Sequence, residues 1–214
     1  LAFMAAAQDS GATTVTGRML MQDGTPLAGG FAVAFDLQNT LPPDPARYLQ
    51  PPASIAEIGE DGSFTLDLIP GRYAIAAVKR RDGHSGPPRE GDIFFALEDA
   101  NGLTREFDVP EHGWVKLGDQ AGGRIFRPVS DPLHLITSVS GTVMDKQGNP
   151  AAGMAVGAVF AGQDRAKMIF FSHESDRRGR YTLLLPHGGR YQLGVWQNSS
   201  LEDAARRFTL PLEI

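Results

Sequence analysis

One phrase occurs twice in this chain of 214 residues. "GSFTLDLIPGRYAIAAV" occupies residues 62–78, and "GRYTLLLPHGGRYQLGVW" occupies residues 179–196. Each copy contains a glycine turn, a run with alternating apolar side chains, a corner with proline and glycine, an Arg-Tyr pair and a second alternating run. Alternation with period two is typical of a strand that buries one face. The sequence therefore predicts a β-hairpin that is repeated.

Two further blocks recur in the same order as this phrase. Residues 15–29, "VTGRMLMQDGTPLAG", align without gaps on residues 139–153, "VSGTVMDKQGNPAAG". Near the end of each copy, "LEDANGLTREFDVP" at 97–110 matches "LEDAARRFTLP" at 201–211. Because three blocks recur in one order, we interpret the repeated unit as a whole domain.

The repeats predict an all-β chain of two tandem antiparallel immunoglobulin-like sandwiches. Each copy has about seven short alternating runs separated by turn residues, which is typical of a sandwich. The 25 glycines and 15 prolines fit a chain with many turns. The predicted units are an N-terminal apolar segment (1–12), a first sandwich (13–110), a bridge (111–136) and a second sandwich (137–214). The bridge is too apolar for a free tether, so we expect it to be ordered against the sandwiches.

Charge and composition exclude several classes of protein. The net charge of −5 comes from interspersed residues, so nothing predicts a nucleic-acid partner. No apolar run approaches the roughly 20 residues that span a bilayer, so no membrane span is expected. Cysteine is absent, which excludes disulfides, thiolate metal sites and a cysteine nucleophile.

The repeated blocks resemble the carboxypeptidase regulatory-like domain, a family of transthyretin-like β-sandwiches. The shared pattern is a G-x-V strand, a D-x-x-G-x-P-L-x-G turn, a G-x-F strand and a P-G-x-Y corner, and it covers most of residues 13–110 and 137–212. Members are mostly non-catalytic accessory or surface modules of exported bacterial proteins. The resemblance thus implies the fold and a periplasmic, cell-surface or extracellular location. Pilin-like relatives form Lys–Asn crosslinks, but the first strands here offer Arg18 and Thr142 instead of lysine.

No catalytic constellation is evident, and we expect neither an enzyme nor a cofactor or metal. The run His173-Glu174-Ser175-Asp176 has metal-capable residues, but His173 and Glu174 would point to opposite faces of a strand. No G-x-S-x-G elbow occurs. Acids such as Asp61, Asp145 and Asp176 lie in predicted turns, where they usually bind their own backbone.

The best candidates for recognition are aromatic residues near arginines, because such pairs dominate interface energies. Trp114, Arg124 and Arg127 lie in the bridge, while Arg47 and Tyr48 lie in a proline-rich insertion at residues 36–57. We expect a protein partner or self-association. A carbohydrate is an alternative ligand for Trp114 or Tyr48, which would make the chain an accessory module of an exported enzyme. Trp114 has the further interpretation that it fills the seam between the sandwiches.

The N-terminal segment "LAFMAAAQDS" has two interpretations. Its apolar start and small residues are typical of the end of a signal peptide. Alternatively, Leu1, Phe3 and Met4 could add a strand to a neighbouring subunit, which would make the chain part of a filament or other assembly.

Overall fold

The computed structural model describes residues 12–83, 88–127, 137–160, 169–197 and 210–213. These residues form strands and no helix, which confirms the all-β prediction. The strands of the first repeat are β1 (Thr13–Met21), β2 (Phe31–Asp36), β3 (Ser54–Glu57), β4 (Ser63–Leu68), β5 (Gly71–Lys79), β6 (Ile93–Ala96), β7 (Glu106–Val109) and β8 (Trp114–Gly123). The strands of the second are β9 (Thr137–Thr142), β10 (Met154–Phe160), β11 (Ile169–Phe171), β12 (Arg180–Leu185), β13 (Arg190–Gln197) and β14 (Leu210–Glu213).

The first repeat has two sheets. One has the order β4-β1-β8; the other has the order β3-β2-β5-β6, with β7 also paired to β5. Alternate residues of β1 and β4, such as Val15 and Leu66, meet those of β5, such as Ile75, in one buried cluster. Side chains that alternate in sequence thus exclude water between the sheets, as the period-two pattern predicts.

Strand β8 differs from the expectation in two ways. It pairs in parallel with β1, with Val15 opposite Val115, whereas only antiparallel pairs were expected. It also extends the sheet of the first repeat to Gly123, well beyond the predicted end at residue 110. The chain crosses from β7 in one sheet to β8 in the other, so β8 is not bound to the antiparallel geometry of a hairpin. Glycines interrupt the apolar alternation in "WVKLGDQAGG", which is why the sequence predicted a connecting segment here instead of a strand.

The second repeat uses the same local geometry as the first. Strands β9 and β12 pair in the register of β1 and β4, so that Gly141 faces Tyr181 where Gly17 faces Phe64. A Cβ at Gly17 would lie 2.9 Å from the Phe64 ring, and one at Gly141 would lie 2.8 Å from the Tyr181 ring. Each aromatic ring therefore needs a glycine on the facing strand.

The core of the second repeat includes side chains of the first. Strands β9 and β12 form one sheet, and the other has the order β11-β10-β13-β14. The buried members of this core are Ala158, Phe170, Leu183, Leu185 and Tyr191. Leu41 and Tyr48 of the first repeat pack against it. Side chains of the first repeat therefore extend the hydrophobic core of the second.

Candidate functional site: a cleft between the insertion and the bridge

The proline-rich insertion between β2 and β3 is folded by its own hydrogen bonds. Backbone N–H groups of Asn39 and Thr40 donate to the Asp36 carbonyl at 2.9 and 2.8 Å. The Gln50 side chain accepts from the Leu41 N–H at 2.8 Å and donates to the Leu41 carbonyl at 3.0 Å. This two-point clamp holds the ends of the loop together, so its prolines form a fixed wall.

The same insertion docks on the second repeat. The Phe171 N–H donates to the Leu49 carbonyl at 2.9 Å, which covers the outer edge of β11. The Tyr48 ring meets the Phe170 ring edge to face, with centroids 6.0 Å apart. The Tyr48 hydroxyl donates to the Pro42 carbonyl at 2.7 Å. Burial raises the pKa of Tyr48 to about 12, with the nearby Asp44 charge as a second cause.

The chain after β8 forms the opposite wall. Ile125 forms an antiparallel β-bridge with Ile93, and the Phe126 N–H donates to the Asp92 carbonyl at 2.6 Å. The Phe126 ring lies 6.2 Å from the Phe94 ring, in a T-shaped contact. Residues 124–126 thus continue the sheet beyond β6, as expected of an ordered bridge.

A cleft of about 540 Å³ lies between the two walls. Its floor is β6, and the residues that line it include Tyr48, Arg124 and Arg127. Three of the five predicted binding residues, from segments far apart in sequence, therefore meet at one cleft. The remaining apolar lining consists of Pro42, Pro43, Pro45, Ala46, Phe94, Phe95, Ala96, Ile125 and Phe126.

The charges of the cleft are mostly paired. Arg124 forms an ion pair with Glu98 at 2.9 Å, and Arg47, just outside the lining, pairs with Asp44 at 3.3 Å. Arg127 is exposed and has no ion pair within the described part of the chain. One guanidinium is therefore available to a ligand.

Trp114 lies apart from this cleft. It begins β8 beside Thr14, and its side chain is 71% exposed. The interpretation that it fills a seam between the sandwiches is therefore wrong. Because an extended strand rises about 3.3 Å per residue, the ten residues to Arg124 separate it from the cleft by roughly 30 Å. Leu1, Phe3 and Met4 lie outside the described residues.

Sequence reasoning missed Glu98, Phe94 and Phe126 as members of the cleft. Glu98 was noted only as part of the repeated "LEDA" block, and nothing in a single sequence pairs it with Arg124. The docking of Leu41 and Leu49 was also missed. The one available signal was the five prolines of residues 36–57, which indicate a rigid loop but name no partner.

The acids with lowered pKa values serve the turns. Hydrogen bonds from Thr25 and Ser63 lower the pKa of Asp23 and Asp61. Backbone N–H groups lower it for Asp99, Asp145 and Asp176. This confirms the sequence interpretation of the turn acids. Among the described residues no three His, Cys, Asp or Glu side chains group as metal ligands. The described ranges contain no helix long and apolar enough to cross a membrane.

Comparisons with known proteins give weak likenesses. No protein-family model matches the chain, and no curated protein matches it. The TIE protein of Bacillus anthracis is 12% identical over 95% of this chain and 31% of that one, with a TM-score of 0.30. A streptococcal ancillary pilin is 13% identical over 97% and 60%, with a TM-score of 0.29. A 9R-lipoxygenase from Cyanothece is 11% identical over 60% and 21%, with a TM-score of 0.30.

The chain therefore spans less than two thirds of each of these three structures. They include a pilin and an enzyme, and identities and TM-scores this low carry no function over to this chain.

Proposed function

We propose that this chain is an exported, non-catalytic structural or protein-binding module of the cell envelope or extracellular space, built from two carboxypeptidase regulatory-like sandwiches. The observation that carries the proposal is the preformed cleft between the proline-rich insertion and residues 124–127. Its walls are held by the Gln50 clamp on one side and by the sheet extension at Phe126 on the other. A rigid concave site loses little conformational entropy when a ligand binds.

The lining of the cleft suits an extended peptide. Prolines and aromatic rings give flat apolar walls, and Arg127 offers a charge at the rim. A peptide with an apolar side chain next to a carboxylate would use both. A sugar is a poorer match at Tyr48, because that ring packs on Phe170 and its hydroxyl already donates to Pro42.

The non-catalytic part of the proposal is supported by where the perturbed acids lie. Active sites concentrate shifted pKa values in a cleft. Here the lowered carboxyl pKa values belong to turn residues such as Asp61 and Asp145, whose hydrogen bonds explain them. Tyr48 lines the cleft and has a pKa raised to about 12, but burial is the main cause, and its hydroxyl already donates to the Pro42 carbonyl.

A selection from a random peptide display library tests the cleft. We expect enriched peptides with an acidic residue beside an apolar one, and we expect Arg127→Glu to weaken their binding at least tenfold. Trp114→Ala is the matched control because it removes an exposed side chain far from the cleft, and it should leave binding unchanged. Absence of any enriched peptide that depends on Arg127 would reject the cleft as a peptide site. A Trp114-dependent signal on a glycan array would instead favour the carbohydrate-binding alternative.

A second candidate function is a subunit of an assembly joined by N-terminal strand addition. One observation favours it: β9, the first strand of the second repeat, has only one neighbour among the described strands. An open strand edge is the surface that strand addition needs.

A further inference from the structure

The free edge of β9 matches an edge that is occupied in the first repeat. Strand β1 lies between β4 and β8, whereas β9 pairs only with β12 within the described residues. The two strands read "TTVTGR" and "TSVSGT", and their registers with β4 and β12 are the same. Among the described residues, the second repeat therefore has a counterpart of β1 but no counterpart of β8 paired with it.

The same register identifies which backbone N–H groups of β9 point away from β12. In β1 the Met19 N–H donates towards β4, to Gly62, while the Thr14 N–H donates to Gly113, which leads into β8. In the second repeat the Val143 N–H donates to Gly179 on the β12 side. Because successive N–H groups of a strand alternate in direction, those of Ser138 and Ser140 point away from β12. These are the groups that a further strand would bind.

Burial differs between the two strands at matching positions. Val15 is 1% exposed because Val115 and Leu117 of β8 pack against the core beside it. Val139, at the same position of β9, is only half-buried. The edge also lacks the charged residues or prolines that commonly protect exposed edges, since residues 137–142 have neither.

The side chains along β9 indicate the composition of a strand that would pair with it. In the first repeat Arg18 pairs with Asp119 of β8 at 3.3 Å. At the matching position β9 has Thr142, so its occupant needs no acid there. The occupant should be uncharged, with apolar side chains at alternate positions as at Val115 and Leu117.

The N-terminal segment of the chain has this pattern. Residues 1–8, "LAFMAAAQ", are uncharged, and Leu1 and Phe3 alternate. Three residues, 9–11, connect this segment to the described part of the chain, and an extended linker of that length reaches about 10 Å. The donor copy must therefore hold the start of its β1 close to the β9 edge of its partner.

We infer that the free edge of β9 accepts residues 1–8 of a second copy of this chain as a parallel strand, in the place that β8 occupies beside β1. The inference rests on the assembly candidate of the proposed function, to which it adds the acceptor, the orientation and the donor. Each copy then carries one donor and one acceptor, so the contact is head-to-tail, and repeated contacts form either a closed ring or an open filament.

Two variants disable the two sides separately. A chain that starts at Ala12 keeps the acceptor and loses the donor. Ser140→Pro keeps the donor but blocks the edge, and because the Ser140 N–H points away from β12, the β9–β12 hydrogen bonds remain. Ser140→Ala is the matched control, since it keeps the amide and removes only the hydroxyl, which lies 3.2 Å from that of Thr182. Ser140→Lys is a second variant that disfavours strand pairing at this edge through its charge, and it keeps the backbone N–H of residue 140.

Sedimentation velocity of these proteins tests the inference. We expect oligomers of the full chain and of Ser140→Ala, monomers of each disabled variant alone, and a one-to-one heterodimer when the truncated chain and Ser140→Pro are mixed. Oligomers of Ser140→Pro and Ser140→Lys that match the full chain would overturn β9 as the acceptor, while the assembly function would stand if truncation still gave monomers. Oligomers of the truncated chain that Ser140→Pro removes would overturn residues 1–8 as the donor and indicate pairing between two β9 edges.

A synthetic peptide of residues 1–11 separates the remaining outcomes. It should bind the truncated chain, and Ser140→Pro or a Phe3→Asp peptide should weaken binding about tenfold. Binding together with a monomeric full chain would overturn the second copy as the source, because the segment would then fold back on its own β9. Monomers throughout with no peptide binding would end both the inference and the assembly function.

Disulfide crosslinking determines the orientation of the donor strand relative to β9. The sequence has no native cysteine, so only the introduced cysteines can react. Cysteines placed at Ser138 or Ser140 are paired with cysteines at Ala2 or Met4 of the donor. For a parallel strand, the donor position that crosslinks best should move from 2 to 4 as the acceptor position moves from 138 to 140. The opposite shift would overturn the parallel arrangement.

Discussion

Strands β1 and β9 begin the two repeats with nearly the same sequence, yet they occupy different positions in their sheets. Strand β1 is central, between β4 and β8, and its Val15 is 1% exposed. Strand β9 has one neighbour among the described strands, and its Val139 is half-buried. The comparison shows that the sequence of a strand sets its register and its buried face, whereas the neighbours decide whether it is an edge.

A second contrast concerns the loops after the second strand of each repeat. The first repeat has a folded insertion that packs outside its own sandwich, where Leu41 and Tyr48 reach the core of the second. One repeat therefore contributes to the stability of the other, which a symmetric duplication would not predict.

The aromatic residues that face Gly17 and Gly141 offer the largest expected difference in stability between the repeats. Phe64 is 3% exposed, so Phe64→Ala should lower the free energy of unfolding by about 3–5 kcal/mol. Tyr181 is half-buried, so Tyr181→Ala should cost only about 1–2 kcal/mol. Urea unfolding measures both, and Tyr181→Phe, which keeps the ring over Gly141, is the control. Equal losses at the two positions would show that the repeats are packed alike.

Four turn glycines test whether the repeats share the same local constraints. A Cβ at Gly62 would lie 2.6 Å from the Met19 carbonyl oxygen, and one at Gly179 would meet the Val143 carbonyl oxygen. Both also have positive φ, so alanine at either should cost about 3 kcal/mol. At Gly24 and Gly148 a Cβ meets open space, and only φ strain of about 1 kcal/mol remains. Thermal unfolding of the four variants should give two matched pairs, and a mismatch within a pair would contradict the repeat.

Tyr48→Ala tests the contact between the repeats. It removes the ring from Phe170 and should destabilise the second sandwich by about 2 kcal/mol, although Tyr48 lies in the first. Hydrogen exchange at β10 amides such as Val156 measures this, and Arg47→Ala, which breaks only an exposed ion pair, should change exchange little. If exchange rises in the first repeat alone, the insertion does not support the second.

High pH should loosen the same contact. The pKa of Tyr48 is raised to about 12 from its ordinary value of 10.0 by burial. A raised tyrosine pKa means that the neutral form is favoured in the folded state, so its stabilisation is complete below pH 10 and is lost as the pH rises towards 12. Protection of β10 amides should fall over this window in the native chain. Burial also raises the pKa of Tyr73 and Tyr191, so the informative signal is the difference from Tyr48→Phe.

The smallest effect is expected at the ion pair between the repeats. Arg89 lies 3.5 Å from Glu174, and both side chains are partly exposed. Arg89→Ala should therefore change the free energy of unfolding by about 0.5 kcal/mol or less, and added salt should reduce the difference further. A loss as large as that of Tyr48→Ala would make this charge pair, rather than the aromatic contact, the main link.

The sequence predicted those parts of the fold that depend on local chemistry. Alternation located strands such as β4 and β12, and the Asp61-Gly62 turn followed from dipeptide preferences. Strand β8 was missed because its glycines break the period of two, and its pairing with β1 spans about a hundred residues. At the cleft, aromatic and arginine residues were identified by type, but the placement of Tyr48 and Arg124 in the lining of one cleft depends on tertiary packing that no local pattern encodes.

Hydrogen exchange at Thr16 and Ser140 tests the central claim most directly, because these residues hold the same position in β1 and β9. We predict that, in the chain that starts at Ala12, the Thr16 amide is strongly protected by β8 and the Ser140 amide exchanges rapidly. Addition of the peptide of residues 1–11 should protect Ser140 and leave Thr16 unchanged. Equal protection of the two amides before the peptide is added would contradict the account, because β9 would then already have a second neighbour.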